Sequence, residues 1–157
     1  ISIIGSPDID VMRKEELPTL KEVKNYYNIK FEEYGILIFH PIATEQRDLK
    51  KQISTLTSAL KESKKKYVII FPNNDMGSEI IIENYSKLKK NNNFRIFPSI
   101  KFQYFLTLLK NAEFIIGNSS AGIREAEVYG TPTIDIGTRQ KNRTTNKNII
   151  NINCEKK

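Results

Sequence analysis

Short apolar runs alternate along this chain with longer segments in which apolar residues recur every three or four positions. The runs are Ile1–Gly5, Gly35–Phe39, Tyr67–Phe71, Phe94–Phe97, Phe114–Gly117, Thr133–Ile136 and Ile149–Ile152. They are rich in β-branched residues and apolar at consecutive positions, as strands covered on both faces should be. Between them, Leu49, Ile53, Leu56 and Leu60 share one face of a helix predicted over Thr44–Ser63. Ile81, Tyr85 and Leu88 mark a second helix, Phe102, Phe105, Leu106 and Leu109 a third, and Ile123 with Ala126 a fourth. The three asparagines at 91–93 read as a turn. This alternation predicts an α/β fold, a parallel sheet with helices on both faces. In such a sheet the loops that follow the strands share one edge, and ligands bind there against helix N-termini.

The chemistry of the chain collects in those loops. After Phe39 comes HPIATEQ, with the one histidine, His40, at its tip. Phe71 is followed by PNNDMGSE, Phe97 by PSIKF, Ile116 by GNSSAGIRE and Ile136 by GTRQKNR. In the fourth loop Gly117 and Gly122 permit a tight turn, and Ser119 and Ser120 offer hydroxyls. A helix starting near Ala121 would aim unpaired N–H groups at the same space, which describes an anion cradle. The same serines also suit plain helix capping, and the motif alone leaves both readings open. It is neither a Walker loop nor a G-x-G-x-x-G fingerprint.

Glu125 lies in the first helical turn after the cradle, where a carboxylate suits the helix dipole. Beside a phosphate it would need hydroxyl donors, and a ribose supplies them. His40 reads either as a core histidine or as a phosphate donor and proton shuttle at the ligand-binding edge. Asn73, Asn74 and Asp75 form an Asx turn with an N-cap or face a ligand. Arg139, Lys141 and Arg143 make a basic loop suited to diphosphate charge. The strand ends hold no carboxylate pair with an acid–base role, no metal-ligand cluster and no Ser-His-Asp or Cys-His arrangement. They read as a place to hold a nucleotide, with a second domain needed for most of the chemistry.

A length of 157 residues suits one domain with an adequate core, and no internal repeat, linker or second-domain boundary interrupts it. Charged residues at 27% and hydrophobic residues at 39% place the chain among globular proteins rather than disordered ones. The single cysteine, Cys154, excludes an internal disulfide and fits a reducing cytoplasm. No apolar run approaches the roughly 20 residues of a membrane span. The first residues carry no basic leader, and an opening strand without a starting Met suggests a piece of a longer protein. The net charge of +7 comes from lysine runs such as KESKKKY and KLKKNNN at expected helix ends. Without interleaved aromatics these read as solvated caps rather than a nucleic-acid surface.

Taken in order, GSPDID, HPIATE, FPNNDMGS, NFRIFPSI and FIIGNSSAGIREAEVYGTPTIDIGTRQKNR resemble the carboxy-terminal half of UDP-N-acetylglucosamine 2-epimerases. The likeness is to the hydrolysing branch that begins sialic-acid synthesis, through GNSSAGIREA and IGTRQKNR, and it covers nearly the whole chain. It implies a Rossmann-like domain, residues 1–157, that is the second half of a two-domain GT-B enzyme whose first domain lies outside this chain. It also implies UDP binding here. His40, Ser119, Ser120 and Arg139 would serve the diphosphate and Glu125 the ribose, with Asn73 and Arg95 completing the uracil end.

The implied reaction converts UDP-N-acetylglucosamine to N-acetylmannosamine and UDP. A proton leaves sugar C2, UDP departs to give a glycal, and water adds with inversion at C2. His40 would assist departure by offsetting diphosphate charge, while the acid–base carboxylates belong to the first domain. No metal or cofactor is expected, nor a nucleic-acid or membrane partner. The resemblance further implies a cytoplasmic homo-oligomer whose half this piece forms, inactive when isolated. Alternatives are an epimerase of a UDP- or GDP-linked diacetamido sugar on the legionaminic-acid route, and the nucleotide domain of a GT-B glycosyltransferase. A non-catalytic module binding nucleic acid through its positive charge is the third.

Overall fold

The structure, a computed structural model, describes residues 8–13, 17–143 and 146–154. Among these, six strands form one sheet: β1 Gly35–Ile38, β2 Tyr67–Ile70, β3 Phe94–Phe97, β4 Phe114–Gly117, β5 Thr133–Ile136 and β6 Ile149–Ile152. All neighbours run parallel, in the order β3-β2-β1-β4-β5-β6. The strand expected at Ile1–Gly5 lies outside the described residues. β1 and β2 each end one residue before the apolar run does. Phe39 stays buried, and the Phe71 N–H still bonds the Phe97 carbonyl.

The helices are α1 Asp8–Met12, α2 Leu20–Tyr26, α3 Leu49–Glu62, α4 Ser78–Ser86, α5 Phe102–Lys110 and α6 Glu125–Tyr129. Strand residues alternate between two cores. Ile36, Ile38 and Ile115 pack with Val23 of α2, Leu106 and Leu109 of α5 and Ala126 of α6. Leu37, Phe39 and Ile69 pack with Ile53 and Leu56 of α3 and with Ile81 and Tyr85 of α4. Both faces are therefore covered, which is why the strands read as unbroken apolar runs. Fully burying a side chain such as Ile53 contributes about 1.5–3 kcal/mol.

The helix expected over Thr44–Ser63 is shorter at its start: a 3-10 turn, Ala43–Glu45, precedes α3. Two side chains pull that stretch elsewhere. Gln46 Nε2 donates to the Met76 carbonyl, and Glu45 accepts from both Thr138 and Gln52. The helix expected near Ala121 is likewise split into a 3-10 turn, Ser120–Gly122, and α6. α2 was not foreseen from apolar spacing, although its capping box was legible. Thr19 accepts from the Glu22 N–H, and Glu22 Oε2 accepts from the Thr19 N–H.

Candidate functional site

The strand order reverses between β1 and β4, so the loops leaving these strands turn to opposite faces, and it is at the carboxyl edge of such a reversal that open α/β sheets bind ligands. Gly117 closes β4 there with φ +135°, and a side chain at this position would collide with the Ile38 carbonyl oxygen. Only glycine fits, because the backbone conformation and the close approach to β1 both exclude a Cβ. The next residue, Asn118, is fully buried and bridges the ends of β4 and β1. Its Oδ1 accepts from the His40 N–H at 2.7 Å, and its Nδ2 donates to the His40 carbonyl at 2.8 Å.

Other strand ends join this pair. From the loop after β2, the Asn73 N–H donates to His40 Nδ1 at 3.2 Å. From the loop after β5, Arg139 Nη1 and Gln140 Nε2 both donate to the Asn118 carbonyl, at 3.1 and 2.8 Å. Arg143 Nη1 in turn donates to Gln140 Oε1 at 3.2 Å. Burial, and then the charge of Arg139, lower the His40 pKa from its ordinary 6.5 to about 4, against the opposing pull of Asp75. His40 is thus a neutral imidazole at pH 7, buried at its base and flanked by a cation and an anion.

Ser119 Oγ accepts from the Ala121 N–H at 3.3 Å and caps the 3-10 turn, so the capping role is realised. Ser120, half-buried, accepts through its carbonyl from the Ile123 and Arg124 N–H groups, and its hydroxyl is uncommitted among the described residues. Glu125 opens α6, and its Oε2 is buried with no hydrogen-bond partner among the described residues. The same condition holds for Tyr85 Oη, Arg95 Nε and Asp135 Oδ2. Asn73 and Asp75 are exposed, and α4 is capped by Gly77 at φ +93° rather than by an Asx side chain.

His40, Asn73 and Arg139 are thus brought into one network, to which the turn carrying Ser119 and Ser120 connects through Asn118. Glu125 follows on the helix just beyond that turn. Arg95 is directed elsewhere. It sits on β3 with its guanidinium 5.6 Å from the Phe97 ring centre, and its Nη2 donates to the Tyr27 carbonyl at 3.1 Å. Lys141 and Arg143 are exposed on the loop beyond Arg139.

Asn118 and Gln140 are the site residues that sequence reasoning passed over, along with Glu45 and Thr138, which tie the first loop to the fifth at 2.6 Å. Their signal was adjacency: each lies within or beside a motif already singled out. A buried bridging amide and a solvated turn residue have the same local sequence.

The chain matches the family model for UDP-N-acetylglucosamine 2-epimerase over residues 1–157. It is 50% identical over its whole length to the UDP-N-acetylglucosamine 2-epimerase of Neisseria meningitidis serogroup B, of which it covers 41%. Over 94% of the chain it is 31% identical to the GDP/UDP-N,N'-diacetylbacillosamine 2-epimerase (hydrolyzing) of Campylobacter jejuni, covering 39% of that protein. In structure it resembles the Methanocaldococcus jannaschii UDP-GlcNAc 2-epimerase solved in complex with UDP-GlcNAc and UDP. The TM-score is 0.68 at 21% identity, over 93% of this chain and 40% of that one. The chain therefore spans about two fifths of the length of these relatives, and the last likeness bears on the fold.

Proposed function

Because this chain belongs to the UDP-N-acetylglucosamine 2-epimerase family, we propose that it is the UDP-holding, carboxy-terminal half of a hydrolysing UDP-N-acetylglucosamine 2-epimerase. The observation that carries this reading is the meeting of His40, the Ser119–Ser120 turn and Arg139 around Asn118, where the strand order reverses. In this reading the diphosphate lies across these strand ends. Arg139 supplies the positive charge, keeping donors beyond the one given to Asn118. The Ser120 hydroxyl and the His40 ring supply neutral hydrogen bonds. Glu125, half-buried at the start of α6 just beyond the serine turn, receives the ribose hydroxyls through its carboxylate. Asn73 and the wall after β3 border the base, and Arg95 serves that end from behind by holding Tyr27 and Phe97 in place.

Loss of the proton from sugar C2 and departure of UDP give a glycal, and addition of water with inversion at C2 gives N-acetylmannosamine. The interactions above act on the leaving group: charge that builds on the diphosphate as the C1–O bond breaks meets donors already in place. The groups that move the C2 proton come from the rest of the protein. As parts of the same proposal, the complete enzyme is a cytoplasmic homo-oligomer serving sialic-acid synthesis, and this half is inactive alone.

The experiment is thermal melting of the chain with UDP. At one hundred times Kd, UDP should stabilise the fold by about 2.7 kcal/mol. Combining Ser119→Ala with Ser120→Ala should remove most of that response, and an equal response in the double variant defeats the assignment. A second reading, epimerisation of a diacetamido sugar nucleotide, is favoured by the likeness to the Campylobacter enzyme. Product analysis with the full-length protein decides between the two sugars.

A further inference from the structure

Resting on the reading of the strand ends as a diphosphate site, the geometry points to Asn118 and the main chain of Asn73 as positioning groups for His40. Together they hold its imidazole in one tautomer, with the proton on Nε2, so that the ring meets the diphosphate as a neutral hydrogen-bond donor. The Asn73 N–H can only donate. It points at Nδ1 from 3.2 Å. A hydrogen on Nδ1 would face another hydrogen, so this nitrogen keeps its lone pair and the ring proton lies on Nε2.

Asn118 secures the base of the same residue. Its two amide bonds, at 2.7 and 2.8 Å, reproduce what a neighbouring strand would give His40 just past the end of β1. Asn118 is itself held from the β5 side by Arg139 and Gln140. A main-chain N–H from the β2 loop thus meets the ring, the amide after β4 holds the main chain of the same residue, and side chains of the β5 loop hold that amide's residue in turn. The charged groups facing it are Arg139 from the β5 loop and Asp75 from the β2 loop. A neutral donor can be buried here without the desolvation cost of a charge, and Arg139 provides the cation an anion needs.

His40 is the only histidine of the chain, so its ring nitrogens can be observed without overlap. Long-range 15N–1H spectra at neutral pH should show a protonated Nε2 and a bare Nδ1, and UDP should shift the Nε2–H signal. A proton on Nδ1, or averaging between the two tautomers, overturns the inference. So does UDP that stabilises the protein yet leaves the ring signals unmoved. The function reading fails in a different way: UDP then neither stabilises the protein nor shifts the ring, and the diphosphate role falls while the tautomer stands.

Asn118→Asp keeps an acceptor for the His40 N–H and removes the donor to its carbonyl. It should mix the tautomers and weaken UDP about tenfold, the effect expected for one buried hydrogen bond on a positioned group. A variant that melts lower but keeps a single Nε2–H tautomer and full UDP affinity makes Asn118 a structural residue only. The wild-type spectra decide the tautomer whether or not the variant folds.

Discussion

His40 keeps only 6% of its surface exposed, yet it is the residue most easily noticed in the sequence. Its environment carries a thermodynamic signature. The unfolded chain takes up a proton on this ring near the ordinary 6.5, whereas the folded chain does so only at about 4. Between these values the unfolded state binds more protons, so stability is fully present above the upper value and is lost as pH falls toward the lower one. The size of that loss is about 3 kcal/mol. Urea unfolding at a series of pH values should show it, and His40→Gln should flatten that part of the profile. An unchanged slope in the variant places the loss on other groups. The residue chemistry of the site was legible where a rare type stood at a strand end, as with His40 and Arg139. Glu125 was legible in type and place, but that one of its oxygens is buried and orphaned is a property of its surroundings.

An element in this fold ends where its backbone can no longer continue, and β4 ends at Gly117. The Ile38↔Gly117 pairing brings the two chains so close that a Cβ at 117 would collide with backbone, which cannot swing aside as a side chain would. Gly117→Ala should therefore cost more than about 4 kcal/mol, the range reserved for backbone clashes and similar defects. The test is loss of cooperative thermal unfolding, and a variant that melts within a few degrees of wild type contradicts the close approach. Helix boundaries were less legible than helix existence. The apolar face of α3 read correctly from spacing, but its first turn did not, because Glu45 and Gln46 are engaged by Thr138 and Met76 from other loops.

At the scale of the molecule, the sheet is well covered at its centre and less so at one side. β6 is an edge strand in the described fold, with Ile150 62% and Ile152 42% exposed. An exposed apolar edge invites pairing with another chain. Ile150→Lys should lower concentration-dependent light scattering while changing stability by less than about 0.5 kcal/mol, the range usual for surface substitutions. Equal scattering from the variant shows that this edge does not drive association. The lysine run expected at a helix end does follow α3, with Lys64, Lys65 and Lys66 exposed, and Lys65 pairs with Glu113 at 2.9 Å. No helix among the described residues is long and apolar enough to cross a membrane.

From the sequence alone came the strands, most helices, the parallel sheet and the edge at which chemistry collects. Periodicity and strand-end residues are local properties, and covered parallel strands leave a plain apolar record. Only the tertiary structure decided that Asn118 joins β1 to β4, that Arg95 turns toward Tyr27, and that Glu125 is left with an unpartnered oxygen. These facts depend on which distant backbone atoms come within hydrogen-bonding reach once the strand order reverses, and no local pattern encodes such distances.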